Sequence, residues 1–229
     1  MPFRVISAIL ILFTFFACEA TSGTFIPDIE ENSGSAAIEN GPYQESWNDK
    51  SLKVEGQYKN SLKEGEWTFY YRGTDRVVML KGTYSKGKKD GEWLYYTEEG
   101  KLKAKVRFMQ DSINGEMATY YENGMPHMLE YYRNGEKNGK SQEYYTDGKP
   151  KEIVWYTDGK RNGQTNLYYE NGNKKAIGTY KMGEMHGKWT YYSSDGIRES
   201  EGFYVNGEKK GTWRIYNETG RLKEEIKYE

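Results

Sequence analysis

The chain reads as an all-β protein, an elongated single-layer antiparallel meander of stacked β-hairpins with a period of 24 residues. Three observations predict this. A glycine that opens a similar run recurs at Gly65, Gly91, Gly115, Gly139, Gly163, Gly187 and Gly211, evenly after a first copy two residues longer, and a partial copy precedes Gly65. A tyrosine stands five residues after each of those glycines, from Tyr70 to Tyr216, and a second aromatic closes each copy, from Tyr58 to Tyr228. Between the two aromatics lies Asn-Gly or Asp-Gly, as at Asn123-Gly124, Asp147-Gly148, Asn171-Gly172 and Asp195-Gly196. A fixed period of this size marks an array in which no unit buries its apolar face alone.

Each copy contains two runs rich in Tyr, Trp, Val, Ile and Thr, the residues that suit a pleated, half-buried surface. The Asx-Gly dipeptide between them accepts the positive φ of a type I′ turn, so each copy is expected to be a hairpin with a two-residue turn. Links between copies carry a further glycine, as in Asn134-Gly135 and Asp158-Gly159. Pro126 and Pro150 each follow a turn glycine by two residues, where a strand start tolerates a missing donor. With strands about 4.8 Å apart, seven copies would span roughly 65 Å along the stacking direction.

A two-residue turn places the second residue after the leading glycine opposite the fifteenth, which sorts the side chains into faces. In the second copy Trp93, Tyr95, Ala104, Val106 and Phe108 share one face, and Lys103, Lys105 and Arg107 share the other. The fourth copy departs: Ser141, Glu143 and Glu152 enter the first face, while Tyr144, Ile153 and Trp155 occupy the second. Neighbouring copies add Leu129, Tyr131 and Ile177 to that second face. An uncovered apolar cluster of that size marks an interaction site. The residues Tyr131, Trp155, Leu129, Ile153, Ile177 and Tyr144 are therefore candidates for binding a partner; burial by sheet twist is the competing reading.

Residues 1–17 have the form of a cleaved signal peptide, with Arg4 ahead of an apolar run from Val5 to Phe16 that is short for a bilayer span. Cys18, the single cysteine, follows directly and cannot form a disulfide within the chain. Residues 18–42 then carry Glu19, Asp28, Glu30, Glu31 and Glu39 with no lysine or arginine, the composition of an acidic flexible linker. The repeat array is placed at 43–229.

Lys plus Arg (33) nearly balances Asp plus Glu (34), which leaves no basic footprint for nucleic acid. Catalytic signatures are missing: there is no metal-ligand motif, phosphate-cradling loop or nucleophile elbow, and His127 and His186 lie in different copies. Glu66, Glu92 and Glu116 head successive copies, but Lys140, Gln164, Lys188 and Thr212 replace them later. The reading is a protein that is not an enzyme and needs no cofactor or metal.

The unit, Gly-x-Trp-x-x-Tyr-Tyr-x-x-x-Gly followed by a polar strand and Tyr-x-x-Gly, resembles the MORN repeat variant of bacterial proteins, including the YwqK-type antitoxin-like family. The resemblance implies a single-layer meandering sheet and, for some members, antitoxin activity. Met117, Ser141 and Thr165 stand where the other copies carry Trp67, Trp93, Trp189 and Trp213. The segment before Cys18 resembles the lipobox of bacterial lipoproteins, with Phe15 where a leucine is usual; the resemblance implies that Cys18 is the lipidation site, that residues 18–42 are a lipid-anchored linker, and that the protein has a membrane-anchored place in the bacterial cell envelope. Three functions follow as expectations: a scaffold for a protein partner, an envelope glycan-binding protein, or an antitoxin-like protein.

Overall fold

A computed structural model describes residues 39–229. The segment read as a signal peptide, Cys18 and nearly all of the segment read as an acidic linker lie outside the described residues. Seventeen strands follow one another: β1 Asn40–Ser46, β2 Leu52–Lys59, β3 Leu62–Tyr70, β4 Val78–Ser85, β5 Lys88–Tyr96, β6 Leu102–Met109, β7 Ser112–Tyr120, β8 Pro126–Arg133, β9 Glu136–Lys137, β10 Gly139–Tyr144, β11 Pro150–Thr157, β12 Lys160–Tyr168, β13 Lys174–Lys181, β14 Glu184–Tyr192, β15 Arg198–Val205, β16 Glu208–Tyr216 and β17 Leu222–Tyr228. There is no helix among the described residues. Every strand pairs antiparallel with its sequence neighbours in one open sheet, and β9 and β10 are two pieces of a single strand that both pair with β8. Eight hairpins result, because β1 and β2 form a complete copy headed by Gly41; β1 begins three residues ahead of residue 43.

Two kinds of turn alternate, and they are distributed differently from the sequence expectation. The Asx-Gly turns inside the copies are not type I′. Gly124 N donates to Tyr121 O and Tyr121 N to Met125 O, a three-residue loop in which only Gly124 has positive φ. The Asx side chain serves this loop directly, since Asn123 Oδ1 accepts from Met125 N at 3.0 Å and Asp147 Oδ1 from Lys149 N at 3.0 Å. The two-residue turns with two successive positive φ values are instead the links between copies, such as Asn134-Gly135 (φ 52 and 84) and Gln110-Asp111 (φ 51 and 70).

The strand register nevertheless matches the expectation, with Trp93 opposite Val106. The longer loop adds a residue, and a bulge between Tyr95 and Tyr96 takes it back.

The first face is the core. Trp67, Trp93, Trp189 and Trp213 are at most 1% exposed. Each indole lies on a glycine eleven residues earlier, on the preceding strand: Gly56, Gly82, Gly178 and Gly202. A Cβ at any of these would fall 2.1 to 2.3 Å from the ring. Each Nε1–H donates to a backbone carbonyl, as Trp93 does to Thr83 O at 3.1 Å, so the buried donor is satisfied. The preceding closing tyrosine meets the ring edge-on, Tyr84 with Trp93 at 5.0 Å and Tyr204 with Trp213 at 5.1 Å. A lysine two residues before the leading glycine covers the ring: Lys63 over Trp67 (4.7 Å), Lys89 over Trp93 (4.9 Å), Lys209 over Trp213 (4.2 Å).

Successive hairpin tips are joined by side chains. In four copies the residue after the repeat tyrosine is a second tyrosine whose hydroxyl donates to the next copy's backbone: Tyr71 to Tyr96 O, Tyr121 to Tyr144 O, Tyr145 to Tyr168 O and Tyr169 to Tyr192 O, at 2.6 to 2.8 Å.

Candidate functional site

The middle of the array is where both faces change character. On the core face, the glycine on which tryptophan lies is replaced by Val106, Glu130 and Val154, and the side chains that follow are Met117, Ser141 and Thr165. The two changes belong together, because a Cβ at that position leaves no room for an indole.

In the same stretch the covering cation acquires a carboxylate. Lys137 Nζ lies 2.6 Å from Glu130 Oε1, and Glu130 is 3% exposed. Tyr132 donates to Glu130 Oε2 at 2.8 Å and Ser141 Oγ to Oε1 at 3.4 Å. One hairpin further on, Arg161 grips both oxygens of Glu152 at 3.0 and 3.1 Å and reaches the hydroxyls of Tyr156 and Tyr180. Burial, with help from Glu130, raises the Tyr132 pKa, so this phenol stays a donor.

Burial also pushes the Glu152 carboxyl above its ordinary 4.5, with Arg161 pulling the other way. A carboxyl whose folded pKa is raised contributes stability that is complete below its unfolded value and is lost as pH rises through the folded one. The parent should therefore lose stability relative to Glu152→Gln as pH rises from about 4 toward neutrality. A difference in Tm between the two that stays constant over that range would contradict it.

On the second face, cross-strand partners form a continuous row: Leu129 opposite Gln142, Gln142 opposite Ile153, Ile153 opposite Asn166, Asn166 opposite Ile177. Leu129, Ile153, Ile177 and Tyr144 are half-buried. Tyr131 and Trp155, beside this row, are 39% and 46% exposed. The structure thus brings the candidate residues to one face, and two of their three aromatics, Tyr131 and Trp155, stand in solvent. Tyr144 is held from within its own strand, its hydroxyl accepting from Gln142 Nε2 at 2.7 Å.

Phe203, 55% exposed, occupies the same place in its hairpin as Tyr131 and Trp155 and was not among the candidates. Its signal was available: the aligned position carries Gln57, Thr83, Arg107 and Lys227 in other copies.

The remaining residues singled out by sequence lie apart. Glu92 pairs with Lys105 at 2.9 Å, and Glu116 accepts from the Tyr131 hydroxyl at 3.3 Å. His127 packs on the Tyr121 ring at 4.5 Å, and His186, on β14 far along the sheet from β8, faces Thr179 on the neighbouring strand. Among the described residues no group of three His, Cys, Asp or Glu side chains is placed to hold a metal.

Six segments, 89–110, 113–134, 137–158, 161–182, 185–206 and 209–229, match the MORN repeat variant and together cover more than half of the chain. The chain belongs to the MORN repeat variant family. Each matched segment ends on the first residue of a two-residue turn or at the chain's last residue, so the family unit is the hairpin described above. Hairpins β1–β2 and β3–β4 precede the matched segments and continue the same architecture. No curated protein matches the chain.

Proposed function

We propose that this MORN-variant array is a non-catalytic scaffold that docks a protein partner on its second face, with Tyr131 and Trp155 as anchors. MORN repeats are in general scaffolds for protein or membrane interaction. The observation that carries the reading is the exposure of two large aromatics at a position the repeat does not require to be aromatic. Exposed aromatics beside half-buried aliphatic residues have the make-up of an interface hot spot. The signal-like leader and Cys18 support a place on a bacterial envelope membrane, held by acyl chains at that cysteine.

Capture of partners by the anchored protein from its own membranes tests both parts. Replacing Tyr131 and Trp155 together by alanine should weaken capture by about 2 kcal/mol or more, roughly thirty-fold, with the melting temperature nearly unchanged. Cys18→Ser should move the protein to the soluble envelope fraction. Early melting of the double variant with capture intact would make the cluster core. Soluble glycan competing for the same two residues would favour a glycan ligand instead.

A further inference from the structure

The docking reading leaves open what kind of segment the second face accepts, and the spacing of its groups narrows this. Tyr131 lies on β8, Lys140 on β10 and Trp155 on β11. Lys140 is directly opposite Trp155. Tyr131 borders the start of β10 on its other side, where the register shifts between Lys137 and Gln142: the Tyr131 carbonyl accepts from Asn138 N at 2.7 Å and its side chain lies against Gly139, the residue before Lys140. The three side chains make an aromatic, cation, aromatic series across adjacent strands.

Some lysines of this face are neutralised and others, Lys81, Lys175 and Lys227 with Lys140, have no ion pair among the described residues; what sets Lys140 apart is its place between two exposed rings. Lys105 is paired with Glu92 and Lys188 with Glu201, each at 2.9 Å, and Lys151 with Glu143 at 2.6 Å. No carboxylate among the described residues lies within ion-pairing distance of Lys140, so an unneutralised positive charge stands between the two exposed rings.

Resting on the docking reading, we propose that this face is a receptor for a proline-rich segment in the polyproline II conformation, bearing an acidic side chain that meets Lys140. Tyr131 and Trp155 are two strand steps apart, about 9.6 Å, and Phe203 lies four steps beyond Trp155, about 19 Å. Polyproline II repeats every three residues at about 3.1 Å each, or about 9.3 Å, so one ridge of prolines stays in step with all three rings to within about 1 Å. A helix advances about 10.8 Å in two turns and is out of step by several ångströms at Phe203. A bound β-strand repeats each face at about 6.7 Å and does not match. Proline rings lie flat on aromatic side chains, and a preformed polyproline helix loses little entropy on docking. The residues between the ridge prolines point sideways, which gives an acidic one access to Lys140.

The test titrates the full-length chain, in detergent, with acetylated peptides of four Pro-Pro-Glu, four Pro-Pro-Lys or four Gly-Ser-Glu triplets, followed by calorimetry. The Pro-Pro-Glu peptide should bind at least ten-fold more tightly than either control. Trp155→Ala and Tyr131→Ala should each weaken it at least ten-fold, and Lys140→Glu should reverse the preference toward Pro-Pro-Lys. Equal binding of Gly-Ser-Glu, absence of saturable binding, or indifference to these variants overturns the proposal, as does displacement by glycan or by a second copy of the chain alone. Loss of partner capture in the alanine variants without any peptide binding would sink this inference and leave the docking reading standing. Peptide binding with capture unaffected would remove the docking reading and keep the peptide site.

Discussion

Gly82→Val should destabilise the array by about 3 kcal/mol, and the cost should be strongly coupled to Trp93. The Cβ of any residue at 82 would lie 2.3 Å from the indole of Trp93, and that ring has nowhere to go: it is fully buried, hydrogen-bonded to Thr83 O and gripped edge-on by Tyr84. Forcing extra atoms into such a site costs about 1–3 kcal/mol and more where nothing yields. Trp93→Met alone should cost about 2–3 kcal/mol through lost contacts and a cavity. Together, however, the two substitutions rebuild a combination the protein already uses, in which Val106 lies between Trp93 and Met117. The double variant should therefore be at least about 2 kcal/mol more stable than the sum of the single costs predicts. Urea unfolding of the four proteins measures this, and additivity within about 0.5 kcal/mol would show that the glycine is needed only for its backbone.

This pairing also shows what sequence can and cannot deliver for a repeat. The hairpins, the register and the two faces follow from alternation: Trp93, Tyr95, Ala104, Val106 and Phe108, assigned to one face by counting, are all buried. Turn type did not follow, because Asn-Gly satisfies two different loops. In one, the asparagine side chain closes an Asx turn and only the glycine needs positive φ, as at Asn123-Gly124; in the other both residues need it, as at Asn134-Gly135. The second kind also occurs at Gln110-Asp111 and at Met182-Gly183, where composition carries little turn signal.

The exposed cluster was legible as a break in the repeat at Trp155 and Tyr131. The significance of Lys140 was not, since a lone lysine gives no hint of whether a carboxylate will reach it. The Gly–Trp spacing of eleven residues was present in the sequence but meaningless until the strands showed which residues lie over one another.

The same geometry predicts the response of the buried charges. Lys137→Ala leaves Glu130 inside the core with only neutral donors, and removing one member of a buried pair typically costs about 3–5 kcal/mol. The pair itself is a different matter, since exchanging both partners for well-packed apolar groups is often neutral or stabilising by about 1–4 kcal/mol. The array supplies the replacement: Glu130→Gly with Ser141→Trp recreates the glycine and tryptophan of the end copies, and Lys137 already occupies the position from which Lys63, Lys89 and Lys209 cover an indole. This double variant should be at least as stable as the parent by urea unfolding, while Lys137→Ala in the parent falls well below it. In the double variant Lys137→Ala should cost about 1 kcal/mol, because the lysine then meets a ring rather than a buried carboxylate. If the double variant instead unfolds as early as Lys137→Ala, the middle hairpins differ from the ends in backbone, and the Glu130 network is required by that difference rather than substituting for a tryptophan.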